Sequence, residues 1–596
     1  MQIQNLNIMH RASYPWQYIQ GRTCFLQLES SEEISSLHIL YGDPFHFAPG
    51  SLKQPVLRCQ IVPCIFQTPL ERIYAIAIPM ETHKLRYHFE ITLCSGEIIF
   101  LTEAGTTAPI SEAQIRPFFV PYVFEAEHPP APAWAKDCIW YQIFPDRFYA
   151  PGLRQMEPFV PTRENYFCGT LEGIRQKIPY LKELGIQGVY LNPIFSGSSN
   201  HRYDTVDYSS VDPMLGSHED IVRLSNEIHR CGMKLMLDGV FNHCGWEHPI
   251  WQDVWENGRA SPYYDWFCIY DEKSLCKISF DVFSEKRMQT QPPFEAFAFA
   301  ANMPKWNTAN PEVMEYLITQ ALKWTKECCV DAWRLDVPDE VHPLFLREFR
   351  TQMKKFNPDI YILGEIWQNP TPWISQNLFD GTMDYPLYFA IRDYSLTHQD
   401  DLTVFASRIS RILASNPFPV RETQWAFCSN HDIPRALRLA GQDDRAVLSA
   451  YFLSAVLGGG LSVYYGDEIP MDGGEDPDNR RIMEWAKIDS PYTKQLKSVI
   501  FLKRELLSGC KLRSIQVKHG VLWIHMLKDQ DAYCAVVPEK DEGVLLKKCW
   551  TPIWGNAVSV DEGIQINGPA FLKMKADAEK TPELGASSGQ MFSGTV

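Results

Sequence analysis

Several features that place a chain in other protein classes are missing from this sequence. No stretch reaches the roughly 20 consecutive apolar residues that a membrane-spanning helix needs. The longest candidate, residues 448–463, is shorter and contains glycines at 458–460. The amino terminus has no basic stretch followed by an apolar core, so no secretory signal is expected. These absences predict a cytoplasmic protein with no membrane partner.

Cysteine patterning and an excess of basic charge are also lacking. The 16 cysteines are scattered without a CxxC pair, which disfavours a zinc site or a disulfide framework and favours reduced thiols. Lys and Arg number 56 against 72 Asp and Glu, giving a formal net charge of −16. A chain with this charge repels polyanions, so no nucleic-acid partner is expected.

The chain is long enough for several domains. Its 596 residues exceed the roughly 250–300 residues at which a single core stops growing. Residues 1–125 contain alternating apolar and polar stretches, such as 23–28 and 73–79, which predict an N-terminal β-sandwich. A Pro-rich connector at 128–132 follows and indicates a domain boundary.

Residues 126–502 change to a strand–helix–strand pattern. Short apolar runs such as 139–143, 188–191 and 332–337 alternate with helical segments, an order that is typical of parallel sheets. The length fits an α/β fold of the (β/α)8 TIM barrel type. The remaining predicted segments are an inserted subdomain at about 244–302, a small C-terminal β domain at 503–578 and a disordered tail at 579–596.

Four of the predicted barrel strands end in polar residues. Apolar runs lead into Asp238, Asp336 and Glu365, and a fourth leads into residues 430–432 (NHD). The C-terminal strand ends of such a barrel share one rim, which is its active face. A single Asp at a strand end is more often a helix cap, but several acids on one rim are costly to bury unless chemistry uses them. Retaining glycoside hydrolysis uses two carboxyl groups, one as nucleophile and one as proton donor.

Four motifs in this region resemble the signatures of the α-amylase superfamily, glycoside hydrolase family 13. They occur in family order at 238–243 (DGVFNH), 333–336 (WRLD), 364–367 (GEIW) and 430–432 (NHD). Flanking blocks agree, and the resemblance covers about residues 135–500.

The resemblance implies a role for each residue of the site. Asp336 would be the nucleophile, Glu365 the general acid and then base, and Asp432 a catalytic residue that stabilises the transition state. Arg334, two residues before Asp336 on the same strand face, would keep Asp336 ionised. The implied substrate-binding residues are Tyr203, His243, Arg334, His431, Asp476, Arg480 and Glu340. Asp238 and Asn242 would give structural support.

Residues 303–307 (MPKWN) are similar to a signature of the neopullulanase, cyclomaltodextrinase and maltogenic amylase branch, with Trp306 as a departure. This resemblance implies cleavage of α-1,4 bonds, with α-1,6 bonds as a further expectation. The implied substrates are cyclomaltodextrins, pullulan and maltooligosaccharides, and a homodimer is implied as well. Residues 337–340 (VPDE) depart from the usual Val-Ala-Asn-Glu. The resemblance implies that these positions face the acceptor side of the site, so the balance between hydrolysis and sugar transfer is left open.

A calcium site is common in this branch, and the sequence departs from it. The loop 149–154 has no carboxylate before Glu157, and Thr170 takes the place of an Asp. Calcium prefers several oxygen ligands, usually with carboxylates among them. The site is therefore expected to be absent, and no metal or cofactor is expected.

Three alternative functions remain open at this stage. A glucanotransferase is favoured by the altered residues 337–340, and an α-1,6-specific glucosidase is opposed by residues 303–307. A non-catalytic α-amylase-like binding protein is disfavoured because Asp336, Glu365 and Asp432 are all present.

Overall fold

The structure of the protein is a computed structural model that describes ten stretches of the chain. They are residues 7–49, 55–67, 72–112, 114–123, 129–152, 161–275, 292–539, 544–546, 550–560 and 563–574. The predicted boundary at residue 125, the predicted end of the C-terminal domain at 578 and the predicted tail lie outside these stretches.

Alternating apolar residues build two antiparallel sheets in the N-terminal part. The strands are β1 (Ile8–Met9), β2 (Gln17–Gln20), β3 (Thr23–Ser30), β4 (Ile34–Gly42), β5 (Arg58–Ile61), β6 (Cys64–Gln67), β7 (Arg72–Pro79), β8 (Leu85–Leu93), β9 (Ile98–Thr102), β10 (Gly105–Thr107) and β11 (Phe118–Val120). One sheet joins β1, β2, β3, β6 and β7, and the other joins the remaining strands. Leu26 and Ile78 of the first sheet share a buried cluster with Ile39 and Phe89 of the second. The two sheets therefore pack face to face, and the predicted β-sandwich is confirmed.

Eight parallel strands form the predicted barrel. The strands of this region are β12 (Ile139–Ile143), β13 (Gly188–Leu191), β14 (Phe195–Gly197), β15 (Thr205–Val211), β16 (Lys234–Gly239), β17 (Ala332–Leu335), β18 (Tyr361–Gly364), β19 (Gly381–Thr382), β20 (Trp425–Phe427) and β21 (Gly460–Tyr464). All except the β14–β15 hairpin belong to one sheet, in the order β12, β13, β16, β17, β18, β19 on one side of β12 and β21, β20 on the other. A parallel bridge between Met383 and Trp425 joins the two edges. The TIM barrel is therefore confirmed.

The barrel strands are linked largely through helices. These are α1 (Pro145–Phe148), α2 (Leu171–Leu184), α3 (His218–Arg230), α4 (Pro249–Asn257), α5 (Glu272–Leu275), α6 (Pro311–Glu327), α7 (Pro343–Phe356), α8 (Thr371–Ile374), α9 (Tyr385–Ile391), α10 (Leu402–Ala414), α11 (Phe418–Arg421), α12 (Ala436–Leu439), α13 (Asp444–Leu457) and α14 (Pro491–Phe501). The apolar run 448–463 divides between α13 and β21, and most residues of both elements are buried. Within the described stretches, no helix combines the length and the apolarity needed to cross a membrane.

The predicted insertion has few regular elements among its described residues. Helices α4 and α5 and three short helical turns connect extended segments, and residues 276–291 lie outside the described stretches. Bridges from Phe267 to Trp306 and from Ala296 to Pro304 attach the insertion to the segment before α6. The insertion is therefore held next to the end of β16, where it reaches the active face.

The C-terminal part is an antiparallel sheet. Its strands are β22 (Lys511–Lys518), β23 (Val521–Lys528), β24 (Asp531–Pro538), β25 (Val544–Leu546), β26 (Trp550–Val560) and β27 (Gly563–Met574). Trp554 stacks on Phe452 of α13 with ring centroids 4.6 Å apart, which ties this sheet to the barrel. The Gln27 amide of the sandwich donates to the Ala414 carbonyl at the end of α10 (2.8 Å). Both outer domains thus pack directly on the barrel.

Candidate active site

The ends of β16, β17 and β18 bring three acids to one buried guanidinium. Arg334 donates from Nη1 to Asp238 (2.9 Å) and to Asp336 (2.7 Å), and its Nη2 lies 2.8 Å from Glu365 Oε2. The Arg334 side chain is completely buried. Residues that are far apart in sequence therefore share one cation at the rim, as the strand-end pattern predicts.

Acidic groups outnumber the cations that face them here. The pKa of Asp336 lies well above its usual range, mainly because the carboxyl group is buried. Arg334 lowers this pKa and the neighbouring Glu365 raises it, but the net shift is upward. Burial and Glu365 also raise the pKa of Asp432 to about 7, against the effect of Arg480. The predicted action of Arg334 on Asp336 is thus opposed by burial and by like charge. Burial and like charge therefore disfavour full ionisation of the cluster. A site in which one carboxyl acts as an acid and another as a nucleophile needs one protonated and one ionised group.

Asp432, after β20, lies between a histidine and an arginine. His431 Nε2 is 3.1 Å from Asp432 Oδ2, and Arg480 Nη2 is 3.5 Å from Asp432 Oδ1. Arg480 also pairs with Asp476 (2.8 Å) and donates from Nε to the His431 carbonyl (2.8 Å). Arg480 therefore connects the loop after β21 to the loop after β20.

Burial disfavours the charged form of His431, and hydrogen bonds fix the orientation of its ring. Burial lowers its pKa well below the usual range, and Arg334 lowers it further. Gln142 donates from Nε2 to His431 Nδ1 (2.8 Å), so the ring hydrogen is on Nε2. That nitrogen is 2.6 Å from the hydroxyl of Tyr203, which itself donates to Asp238 (2.8 Å). The Tyr203 and His431 rings are parallel, with centroids 5.3 Å apart.

His243 follows β16 and lines the same side of the site. Its Nε2 is 3.1 Å from the Tyr203 carbonyl oxygen, and its Nδ1 is 3.3 Å from the Asn242 amide nitrogen. Burial lowers its pKa to about 4. The Phe297 ring of the insertion stacks on its imidazole, with centroids 5.0 Å apart. The insertion thereby contributes directly to the site.

Glu340 lies outside the Arg334 cluster. It is half-exposed and its Oε2 is 3.3 Å from Lys305 Nζ, so the turn after β17 pairs with the 303–307 segment. Asp476 is also more exposed than the central acids and reaches them through Arg480. The contacts described above join all the other predicted site residues: Tyr203, Asp238, Asn242, His243, Arg334, Asp336, Glu365, His431, Asp432 and Arg480.

Three residues at the site were not predicted from the sequence. Gln142 orients His431, Tyr190 donates to Asp238 (2.6 Å), and Phe297 covers His243. Gln142 and Tyr190 lie on predicted strands, β12 and β13, so the alternation of a barrel strand could have indicated that they face inward. Phe297 lies in a segment without periodicity, and no sequence signal distinguishes it.

The segment that carries calcium in the related branch has other partners here. Thr170 Oγ1 accepts from the Gly173 amide (3.0 Å) and caps α2. The Asp146 carboxylate accepts the amides of Phe167 and Cys168 (3.1 Å each). Glu157 lies outside the described residues. In the ten described stretches, no three His, Cys, Asp or Glu side chains are arranged to hold a metal ion.

Known proteins resemble the chain in both sequence and fold. Residues 142–505 match the family described as alpha amylase, catalytic domain. The chain is 37% identical over 520 residues to a cyclomaltodextrinase of Geobacillus thermopakistaniensis, covering 84% of each chain. It is 34% identical over 545 residues to an intracellular maltogenic amylase of Bacillus subtilis, covering 88% of this chain and 87% of that one.

A solved cyclomaltodextrinase structure has the same fold. Its TM-score is 0.83 at 28% identity, and the match covers 96% of this chain and 99% of that one. The matched family region contains every acid of the rim, from Asp238 to Asp432. The chain therefore belongs to the α-amylase family of glycoside hydrolases.

Proposed function

We propose that the protein hydrolyses α-1,4-glucosidic bonds of cyclomaltodextrins, pullulan and maltooligosaccharides with retention of configuration, and that it also accepts α-1,6 bonds. The observation that supports this most strongly is the contact of Asp336 and Glu365 with the two terminal nitrogens of one guanidinium. Retaining glycosidases need carboxyl groups about 5–5.5 Å apart, whereas inverting ones need room for a water between them. Two carboxyl groups that contact a single guanidinium suit the first arrangement.

The reaction then proceeds in two steps. Asp336 attacks the anomeric carbon while Glu365 transfers its proton to the leaving glycosidic oxygen, and a covalent glucosyl-enzyme forms. Glu365, now a carboxylate, accepts a proton from a water molecule as that water attacks the same carbon and releases Asp336. We assign Asp432, His431 and His243, by the family resemblance, to binding the hydroxyl groups of the sugar under attack.

The substrate class is inferred from relatives named for cyclomaltodextrin and maltose chemistry. By the same resemblance we infer a cytoplasmic homodimer whose partner subunit narrows the cleft. Sedimentation velocity tests the dimer, since a homodimer has twice the 68.6 kDa mass of the chain. A monomer at micromolar concentration would contradict it.

A product time course tests the substrate class. Equal masses of β-cyclodextrin, pullulan and soluble starch are incubated with the enzyme, and products are separated by chromatography. We expect the cyclic substrate to be cleaved fastest, with maltose and glucose as products. Faster cleavage of starch would contradict the narrowed cleft.

Transfer to a second sugar is the other candidate activity, and the VPDE turn favours it. Glu340 of this turn pairs with Lys305 on the acceptor side implied by the resemblance. In the same time course, products longer than the substrate would identify a transferase. Products no longer than the substrate would leave hydrolysis as the main reaction.

Asp336→Asn is predicted to lower kcat by roughly 10⁶-fold, the scale of nucleophile removal in another hydrolase. The substitution removes the attacking charge and hardly changes the shape, so the melting temperature is expected to be maintained. Asp359→Asn, an exposed acid before β18, is the matched control and should retain full activity. Turnover near the wild-type rate in Asp336→Asn would overturn the assignment of the nucleophile.

A further inference from the structure

Hydrogen-bond donors reach both oxygens of the Glu365 carboxyl group. Oε1 accepts from the Trp367 indole nitrogen (3.1 Å), and Oε2 accepts from the Val337 backbone amide (3.1 Å). Arg334 Nη2 lies 2.8 Å from Oε2. Donors of this kind stabilise the ionised carboxylate relative to its protonated form. They therefore act on the state that Glu365 reaches once it has given up its proton.

Neighbouring residues hold the Trp367 indole, which makes one of these contacts, in a fixed orientation. The Trp367 ring stacks on Tyr385, with centroids 4.1 Å apart and an angle of 15° between the planes. The Tyr385 hydroxyl accepts from Asn430 Nδ2 (3.0 Å), and Asn430 Oδ1 accepts from the Asp432 amide (2.8 Å). Tyr385 and Asn430 are completely buried. The indole is thus fixed relative to the loop that carries Asp432.

The second donor is presented by an unusual backbone. Val337 has φ +43° and ψ +46°, a left-handed conformation that is strained for a β-branched residue. Asp336 precedes it, and the turn Pro338–Glu340 follows. The surroundings maintain this strain, and the conformation directs the Val337 amide to Glu365. Two separate elements therefore supply donors to the same carboxyl group.

We propose that Trp367 is a positioning residue for the acid/base step, holding Glu365 through its indole N–H. The inference rests on the proposed function, in which Glu365 is the acid/base. As the bond between the anomeric carbon and the leaving oxygen breaks, the Glu365 proton moves to that oxygen and the bond to Asp336 forms. The indole N–H stabilises the carboxylate left on Glu365, so that proton transfer to a poor leaving group becomes easier.

Other ionisable groups also face Glu365, and they are unchanged when only the indole is altered. They are Arg334, Asp336, Asp339, Asp432, Tyr190 and Tyr385. Trp367→Phe keeps a ring that can stack on Tyr385 and removes the N–H donor. A change in the pH profile of this variant therefore reports the lost hydrogen bond.

The test compares kcat/KM of wild type and Trp367→Phe across pH with two substrates, maltotriose and 4-nitrophenyl α-maltoside. We expect the alkaline limb of the maltotriose profile to move to higher pH, because the acid/base carboxylate loses a hydrogen-bond donor. At the optimum, kcat/KM should fall about tenfold for maltotriose, the scale of one hydrogen bond to a charged group. It should change less than about twofold for the nitrophenyl substrate, whose leaving group needs little protonation.

Trp134→Phe is the matched control. Trp134 is partly buried like Trp367, but its indole donates to the Asp359 carbonyl (2.9 Å) at the opposite end of the barrel. Its pH profile should be that of the wild type. A second pair of variants repeats the comparison of pH profiles: Trp367→Gln keeps a side-chain N–H donor and Trp367→Leu has none. The test then does not depend on the folding of a single variant.

Two outcomes separate failure of the inference from failure of the proposed function. A wild-type alkaline limb in both Trp367→Phe and Trp367→Leu, with Glu365→Gln inactive on maltotriose, would overturn the role of Trp367 alone. A Glu365→Gln variant that cleaves maltotriose at the wild-type rate would overturn the proposed acid/base as well.

Discussion

At the residue scale, function and stability oppose each other in the acid cluster. A carboxyl group is stable in this site when it is protonated, because burial and its acidic neighbours penalise the charge. The chemistry nevertheless requires ionised groups in the same place. We therefore expect removal of one carboxyl group to reduce activity and to remove the cost of burying its charge in the folded protein.

Asp432→Asn is predicted to reduce the loss of unfolding free energy between pH 5 and pH 8. Burial raises the folded-state pKa of Asp432 to about 7, above its unfolded value. Its contribution to stability is complete below the unfolded pKa and is lost as pH rises through the folded pKa. Between pH 5 and pH 8, we expect wild type to lose about 2 kcal/mol more unfolding free energy than the variant.

Denaturant unfolding at both pH values measures this effect. Asp204, Asp384 and Glu468 also have pKa values raised by burial, and they are common to both proteins, so only the difference between the proteins is assigned to Asp432. Asp265→Asn, at an exposed position, serves as the control. An equal pH dependence in wild type and Asp432→Asn would show that the pKa of Asp432 is the same in the folded and unfolded states, which would contradict the prediction.

The sequence motifs indicated the proposed reacting groups more completely than the residues around them. Asp336, Glu365 and Asp432 follow strand-like runs, so their position on the rim could be predicted from the chain alone. Trp367 and Phe297 could not be assigned contacts in this way. Their rings meet Tyr385 and His243, respectively, only because separate loops cross the rim at the same place.

At the element scale, Thr170 caps helix α2, although it stands where the sequence departs from the calcium motif of the related branch. Thr170→Ala is predicted to lower the stability of the barrel by about 1 kcal/mol, because α2 loses the side chain that caps its first turn. Thr170→Asp should keep that stability, since Asp caps helices at least as well as Thr. The midpoints of urea unfolding compare the two variants. Equal midpoints for Thr170→Ala and wild type would contradict the cap's contribution.

Element limits were predicted well where the pattern is local. The runs 139–143 and 188–191 coincide with β12 and β13. The run 332–337 extends beyond β17, which ends at Leu335, because Val337 turns left-handed before Pro338. Backbone periodicity predicts that a strand exists, but the contacts of the rim decide where it stops.

At the scale of the whole molecule, we predict that calcium does not stabilise the fold. Millimolar calcium or EDTA should each leave the melting temperature within about 1 °C, because Thr170 and Asp146 already have backbone partners. Differential scanning fluorimetry with magnesium as the control ion measures this. A rise in melting temperature with calcium but not with magnesium would contradict the prediction.

The sequence alone determined the class of the fold and the chemistry of its rim. Apolar runs at strand and helix period predict a barrel between two β domains, and the acids at strand ends predict glycoside hydrolysis, because these signals depend on residues close together in the chain. Only the tertiary structure decided that one guanidinium serves Asp238, Asp336 and Glu365, and that an inserted segment covers His243. Such contacts depend on loops of unequal length converging over the barrel, and no local period encodes where those loops meet.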